Sequence, residues 1–138
     1  MAASANQLIT AQEPGGLQKV LVAASTVLYQ GTMAFSIAAS GFADDDTATG
    51  ANAFLGVVKE KVDNSAGSAG DLSAEVYTTG VFEFTGSSLT QALVGDKIYA
   101  SDNFTVTATS TNNTLIGRCV EFVSTTRIRV RIEVGTQA

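Results

Sequence analysis

The chain has 138 residues, a length typical of a single domain, and 45% of them are hydrophobic, which is enough for one core. It contains no histidine and a single cysteine, so Ser-His and Cys-His catalysis, histidine metal sites and intramolecular disulfides are excluded. Thirteen acidic residues against eight basic ones give a net charge of −5, which argues against binding to nucleic-acid phosphates or anionic membranes.

Residues 1–16 predict an extended N-terminal arm, because they are mostly small and polar and end in the chain-breaking sequence Glu13-Pro14-Gly15-Gly16. They lack the basic start and apolar run of a secretory signal. The longest apolar stretch, residues 20–29, is interrupted by Ser25 and Thr26 and is about half as long as a membrane-spanning helix. The sequence therefore predicts synthesis in a cytoplasm without a membrane anchor.

From residue 17 onward the pattern is that of β-strands. Three segments alternate apolar and polar residues with the period of a half-buried strand: residues 33–39, 104–109 and 127–134. Weaker strand patterns cover residues 19–24, 54–62, 75–84 and 115–123, with a β-bulge expected at Gly80. Residues 91–94 predict one short helical turn, with Ser87 or Ser88 as its N-cap.

No segment shows sustained helical periodicity, so the sequence predicts an all-β fold. We expect a small barrel or sandwich of about 7–9 short strands, with at most one helical turn. The arm at residues 1–16 is then followed by a single β domain at residues 17–138.

Two seven-residue segments resemble each other, residues 52–58 and residues 113–119. Both begin with Asn and carry two apolar residues before a glycine, Gly56 in one and Gly117 in the other. Two interpretations are open: two equivalent strands, each kinked at its glycine where a neighbour approaches closely, or coincidence over a short stretch.

Asp44-Asp45-Asp46 is the densest acidic cluster and the only candidate metal loop. Ala48 stands where a calcium loop needs its third ligand, and Gly50 comes one position late. An exposed loop is the better interpretation. We therefore predict neither a metal site nor a cofactor.

No credible active site emerges from the remaining side chains. Glu60, Glu75 and Glu83 include possible carboxylate pairs for glycoside hydrolysis, but the chain has no tryptophan to hold a sugar. Cys119 lies in an apolar segment and is expected to be a buried small hydrophobe. The sequence predicts a protein that is not an enzyme and has no small-molecule substrate.

Arg127, Arg129 and Arg131 form a basic stripe along one face of the last predicted strand and are a candidate inter-subunit polar face. They are placed to grip an acidic partner surface or to pair with carboxylates on a neighbouring strand. The alternative is a solvated outer face that guards against edge-to-edge aggregation.

Several short motifs follow one another over residues 50–134: Phe54-Leu55-Gly56-Val57, Thr79-Gly80-Val81-Phe82-Glu83-Phe84, Gly95-Asp96-Lys97-Ile98-Tyr99, Asn113-Thr114-Leu115-Ile116-Gly117 and the alternating strand at residues 127–134. Their order resembles that of the tailed-bacteriophage capsid cement, or head decoration, proteins. The loops at residues 40–52 and 63–72 are longer than in the compact family pattern, and the arm belongs to this chain alone.

The resemblance implies a structural virion protein that binds the outer surface of the assembled head and stabilises it, often as trimers at local three-fold positions. Its partners would be the major capsid protein of the same phage and further copies of itself, after synthesis in the host cytoplasm. We expect the trimer contact on the β domain and the capsid contact on the arm plus the loops at one end of the domain, with Leu8, Ile9, Pro14 and Leu17 as the arm's anchors.

Two other functions fit a small acidic β protein. One is a different phage structural subunit, such as a tail-tube or fibre module. The other is a carbohydrate-binding module, which needs an exposed aromatic platform. The only tyrosines are Tyr29, Tyr77 and Tyr99, and no two of them lie two positions apart on one strand.

Overall fold

The computed structural model describes residues 16–134 of the chain. This part contains twelve β-strands and two short 3-10 turns, at Ala48–Gly50 and Gln91–Leu93. The strands are β1 (Leu17–Leu21), β2 (Thr26–Leu28), β3 (Met33–Ser36), β4 (Ala43–Asp44), β5 (Ala53–Val58), β6 (Val62–Asn64), β7 (Ser73–Tyr77), β8 (Val81–Thr85), β9 (Lys97–Ala100), β10 (Val106–Thr107), β11 (Thr114–Ser124) and β12 (Arg127–Ile132).

The strands form two five-stranded sheets and a two-stranded ribbon, all antiparallel. The first sheet has the order β1-β7-β5-β3-β4, the second has the order β10-β9-β11-β12-β8, and the ribbon pairs β2 with β6. Among the described strands neither sheet closes into a barrel. In each sheet, the two edge regions contact each other at one isolated parallel bridge. This bridge is Val22–Ala43 in the first sheet and Thr85–Thr105 in the second.

The prediction of an all-β fold is confirmed, in the form of stacked open sheets. The strand number exceeds the expected 7–9, since β2, β4, β6 and β10 have only two or three residues each. Strands this short leave no periodic pattern in a sequence. The predicted turn at residues 91–94 is present, but its N-cap is Thr90, which makes no side-chain capping bond. The Ala48–Gly50 turn is a second one that the sequence did not indicate.

Two hydrophobic clusters hold the layers together. The larger cluster joins one face of the first sheet, including Met33, Phe35 and Val57, to the inner face of the second sheet, including Phe84 and Val130. The smaller cluster joins the other face of the first sheet to the ribbon; its buried members are Val22, Leu28, Ala34, Ala43, Val58, Ala74 and Val76. The first sheet is therefore covered on both faces at β3 and β5, whereas β1 and β7 expose one face, as does the second sheet on its outer side.

This layering explains where the predicted strands were wrong. Residues 33–39 were expected to alternate, but Met33, Ala34 and Phe35 are all buried because β3 lies between the two clusters. Residues 75–84 are not one bulged strand; they contain β7 of the first sheet and β8 of the second, and the chain crosses between sheets around Gly80. Residues 54–62 likewise end as a strand at Val58.

The two similar glycine segments occupy equivalent places, which settles their interpretation. In β5 one extra residue precedes Gly56, so that Gly56 lies opposite Ala34 while Phe54 lies opposite Phe35. In β11 the same bulge precedes Gly117. A Cβ atom at Gly56 would clash with the Tyr77 carbonyl oxygen on the next strand, and one at Gly117 would clash with the Arg131 carbonyl oxygen.

The equivalence extends through both sheets. Strands β1, β3, β4, β5 and β7 correspond, in the same chain order and the same sheet order, to β8, β9, β10, β11 and β12. The hydrogen bonds at the ends of the equivalent strand pairs β1–β7 and β8–β12 match as well. Thr78 N donates to Gly16 O at 3.1 Å, and Ile132 N donates to Gly80 O at 3.0 Å. The described chain is thus two copies of one five-stranded unit, which we call the first unit (residues 16–78) and the second unit (residues 80–132).

Candidate interaction surfaces

The predicted arm anchors fall almost entirely outside the part of the chain that the structure describes. Leu8, Ile9 and Pro14 lie among residues 1–15, which the structure does not describe. Leu17 is the first residue of β1, where it is half-buried opposite Tyr77. Because β1 is an edge strand of the first sheet, the described part of the chain begins at a sheet edge.

Two arginines of the predicted basic stripe form ion pairs within the chain. Glu83 of β8 accepts from Arg127 Nη1 at 3.2 Å and from Arg129 Nε at 3.5 Å, and Glu121 of β11 accepts from Arg129 Nη1 at 3.3 Å. This is the cross-strand pairing that was one of the expected roles. All four side chains are partly exposed, so each pair contributes little to stability.

Arg131 has a different environment from the other two arginines. It lies opposite Arg118 of β11, and Arg118 lies opposite Lys97 of β9, so three cations stand side by side on the outer face of the second sheet. We call Lys97, Arg118 and Arg131 the cationic row. Its one ion pair within residues 16–134 joins Arg118 Nε to Glu133 Oε1 at 3.8 Å.

Sequence reasoning singled out only one member of the cationic row. Lys97 and Arg118 lie on other strands, and the register that aligns them with Arg131 is visible only in the structure. The available signal was weaker: Arg118 follows the bulge glycine of β11, and Lys97 precedes the buried Ile98. A polar position beside a buried one marks a side chain on the wet face of a strand.

A cleft on the first unit has a volume of about 520 Å³. It brings together Glu60 and Glu75, two of the three candidate carboxylates, whereas Glu83 lies on the second sheet. Three lysines also line it: Lys19, Lys59 and Lys61. No aromatic side chain lines this cleft, so the described chain provides no sugar platform there.

The tyrosines do not form an aromatic platform for a carbohydrate. Lys61 Nζ lies 5.4 Å from the centre of the Tyr29 ring, and Tyr77 packs on Phe82 with ring centres 5.8 Å apart. Tyr99 is half-buried in a second cleft of about 330 Å³, beside Leu115. The three rings therefore have separate environments.

The acidic loop satisfies its carboxylates locally. Asp44 Oδ1 accepts from Asp45 N at 2.8 Å, and Asp46 Oδ1 accepts from Ala48 N at 3.1 Å. Partial burial, followed by the neighbouring Asp44, raises the pKa of Asp45. Within residues 16–134 no group of three or more His, Cys, Asp and Glu side chains is arranged to hold a metal ion.

Cys119 lies in the larger hydrophobic cluster, as its apolar surroundings in the sequence predict, and is 1% exposed. Its Sγ donates to the Glu121 carbonyl oxygen at 3.7 Å. Burial raises the pKa of the thiol, which disfavours the reactive thiolate. The residue therefore has a packing role.

Comparison with known proteins identifies a family. The described chain contains no helix long and apolar enough to span a membrane. No curated protein and no solved structure matches the chain significantly. A family model described as phage cement protein matches residues 51–133, which is more than half of the chain and includes β5 and all of the second unit. The chain therefore belongs to the phage cement protein family, and its role is that of a cement protein of a bacteriophage capsid.

Proposed function

We propose that the protein binds the outer surface of the assembled phage head, as trimers at local three-fold positions, and stabilises the shell against rupture. The family match over residues 51–133 carries this proposal. The major capsid protein is the proposed partner, and the outer capsid surface is the proposed location. We further propose that no catalytic step is involved, in keeping with a structural family.

The composition of the chain supports binding to a large protein surface. Only 15% of the residues are charged, so little charge has to be stripped of water when such a surface is covered. A shell also presents each contact many times. Several modest contacts per trimer then give strong overall binding through multivalency.

Stabilisation follows from mass action. A protein that binds the assembled shell but not its separated subunits shifts the equilibrium toward the shell. The effect grows with the concentration of the free protein relative to its dissociation constant. No change in the shell's own structure is required.

The test is co-sedimentation of the purified protein with mature capsids of its source phage that have been stripped of it. We expect saturable binding at a fixed number of copies per shell, and decorated shells that rupture at a higher temperature than bare ones. Absence of binding to intact shells contradicts the proposal and favours a tail or fibre subunit. Binding without a rise in rupture temperature contradicts the stabilising role alone.

A further inference from the structure

Equivalent faces of the two units differ in burial. In the first unit, Leu17, Tyr77, Val57 and Met33 lie side by side across the sheet. Met33 is 0% and Val57 1% exposed, because this part of the face packs against the second unit, whereas Leu17 and Tyr77 are half-buried. In the second unit the equivalent row is Val81, Arg131, Arg118 and Lys97, and all four side chains are exposed.

One loop of the second unit takes part in covering this face of the first unit. Met33 N donates to Asn103 O at 2.7 Å, and the neighbouring Phe104 packs on the same hydrophobic cluster. Both residues belong to the connection between β9 and β10. Within the chain, the units are therefore joined head to tail: the second unit contacts the first unit's face with the buried residues of its inner sheet face and with this hairpin loop.

The first unit has the equivalent loop, and it is free. It connects β3 to β4 and is closed by Ile37 N donating to Phe42 O at 2.9 Å, as Ser101 N donates to Thr105 O at 3.0 Å in the second unit. Residues 38–41 of this loop are exposed. The described chain thus has two uncovered surfaces. One is the outer face of the second unit, which corresponds to the face that a loop contacts in the first unit. The other is the β3–β4 loop, which corresponds to the loop that makes this contact.

The two free surfaces carry opposite charges. The face is the cationic row, where Lys97 and Arg131 have no carboxylate within 4.0 Å in residues 16–134. The loop leads into β4, which ends at Asp44 and is followed by Asp45 and Asp46; these three carboxylates form no ion pair with any cation in the same part of the chain. Opposite charges on surfaces that meet steer association and fix its register.

We propose that copies of the protein associate head to tail, with the β3–β4 loop and Asp44–Asp46 of one copy seated on the cationic row of the next. The contact repeats between copies the arrangement that joins the two units within one chain. Such a contact is not self-complementary, so it closes into a ring or continues as a filament. The inference rests on the proposed trimer, which becomes a ring of six repeated units.

Charge reversal tests the contact. The variant K97E/R131E changes two side chains that form no ion pair in the described chain, so the fold is expected to be retained. At low ionic strength, about 50 mM, we expect its association constant to fall at least about tenfold in sedimentation equilibrium. The control K59E/K61E makes the same change in net charge on the first unit, away from the row, and is expected to associate like the wild type.

Restoring the charge complementarity makes the test specific. D44K/D45K alone is expected to weaken association, and K97E/R131E/D44K/D45K is expected to regain it, because the face is then acidic and the loop basic. Circular dichroism of each variant checks that it is folded. Association of K97E/R131E at the wild-type level, or failure of the fourfold variant to recover, would overturn the inference.

The inference and the proposed function fail separately. A wild-type protein that binds shells but stays monomeric at all concentrations overturns the head-to-tail contact and leaves shell binding intact. Salt-sensitive association through the row, without binding to shells, supports the contact and contradicts the cement proposal. If K97E/R131E associates normally but no longer binds shells, the row contacts the shell instead, and the inference is wrong.

Discussion

At the scale of single residues, the two bulge glycines, Gly56 and Gly117, do not tolerate substitution by a residue that has a side chain. At Gly117 the φ angle is +159°, and an added Cβ would meet the backbone of Arg131 rather than a side chain that can move. The partner strand would have to shift, and with it the pairing of β11 with β12. The glycine is required by close approach more than by its own backbone angle.

We expect Gly117→Ala to lower the free energy of unfolding by more than about 2 kcal/mol. The measurement is urea denaturation. Gly31→Ala is the matched control, since an added Cβ there has nothing within 4 Å and only the cost of a positive φ remains, about 1–2 kcal/mol. Equal losses in the two variants would contradict the clash at Gly117.

Asp45 gives a pH-dependent prediction. Partial burial and the adjacent Asp44 raise its pKa above 3.8 in the folded protein. A raised pKa contributes stability that is present below the unfolded value and is lost as the pH rises through the folded value. At neutral pH the ionised Asp45 is therefore unfavourable in the native state, by an amount that solvent screening keeps small.

Asp45→Asn is expected to raise the melting temperature at pH 7. At pH 3, where the carboxyl of the wild type is protonated, the two proteins should melt together. Calorimetry at both pH values with constant ionic strength makes the comparison. A gain that is as large at pH 3 as at pH 7 would show that ionisation of Asp45 is not its cause.

At the scale of elements, the β2–β6 ribbon is what gives the first sheet its second covered face. Leu28 of β2 is 0% exposed in the smaller cluster, and half-buried Val62 of β6 packs against it. The second sheet has no such cover in the described chain. The ribbon therefore distinguishes the two units, although it consists of only two three-residue strands.

Leu28→Ala is expected to lower the free energy of unfolding by about 2–4 kcal/mol, through lost burial and the cavity left behind. Leu21→Ala is the control, because Leu21 is 49% exposed and its truncation leaves no cavity; its effect should stay within about 0.5 kcal/mol. Both values come from denaturant unfolding. A small loss for Leu28→Ala would mean that the ribbon adds little to the fold.

The elements also show how much the sequence alone could predict. Strand β12 was predicted well, because one of its faces is buried and the other wet, so its residues alternate. Strand β3 was predicted with the wrong pattern because it is buried on both faces, and β4 and β10 are too short to show a period. Cross-strand neighbours depend on register, so the Glu83 ion pairs and the cationic row could not be found before the sheets were known.

The repeat shows the same limit. Residues 52–58 and 113–119 preserve a recognisable pattern because the bulge glycine has a steric requirement in both units. Elsewhere the two units diverge, and Met33, Val57 and Tyr77 correspond to Lys97, Arg118 and Arg131. A face that is buried in one unit and exposed in the other needs apolar side chains in the first case and polar ones in the second. The two units have therefore lost sequence similarity on this face.

At the scale of the whole molecule, the arm and the β domain have separable proposed tasks. We propose that Leu8, Ile9 and Pro14 anchor the protein to the shell, while Leu17 connects the arm to the edge strand β1. Backbone groups of an extended segment can pair with the edge strand of a neighbouring protein. We propose that contacts with other copies belong to the β domain instead.

Deleting residues 1–15 is expected to weaken binding to stripped capsids at least about tenfold, because each copy loses one of several linked contacts. Gly16 is retained, since its carbonyl accepts a hydrogen bond from Thr78 N. The unfolding transition should not change. Occupancy on the shell is measured by co-sedimentation, and Leu8→Ser with Ile9→Ser should reproduce part of the loss where Ala2→Ser with Ala3→Ser does not. Unchanged occupancy after the deletion contradicts the role of the arm.

The sharing of one hydrophobic cluster between the units also fixes an order of events on the ribosome. Met33, Phe35 and Val57 are synthesised early, but their partners Phe84 and Val130 are synthesised much later. At about 5–20 residues per second, several seconds separate the two. During that interval the nascent first unit has an apolar sheet face with nothing to cover it. The shared core is therefore completed only after Val130 has left the ribosome, and we expect the uncovered face of the nascent chain to bind a ribosome-associated chaperone.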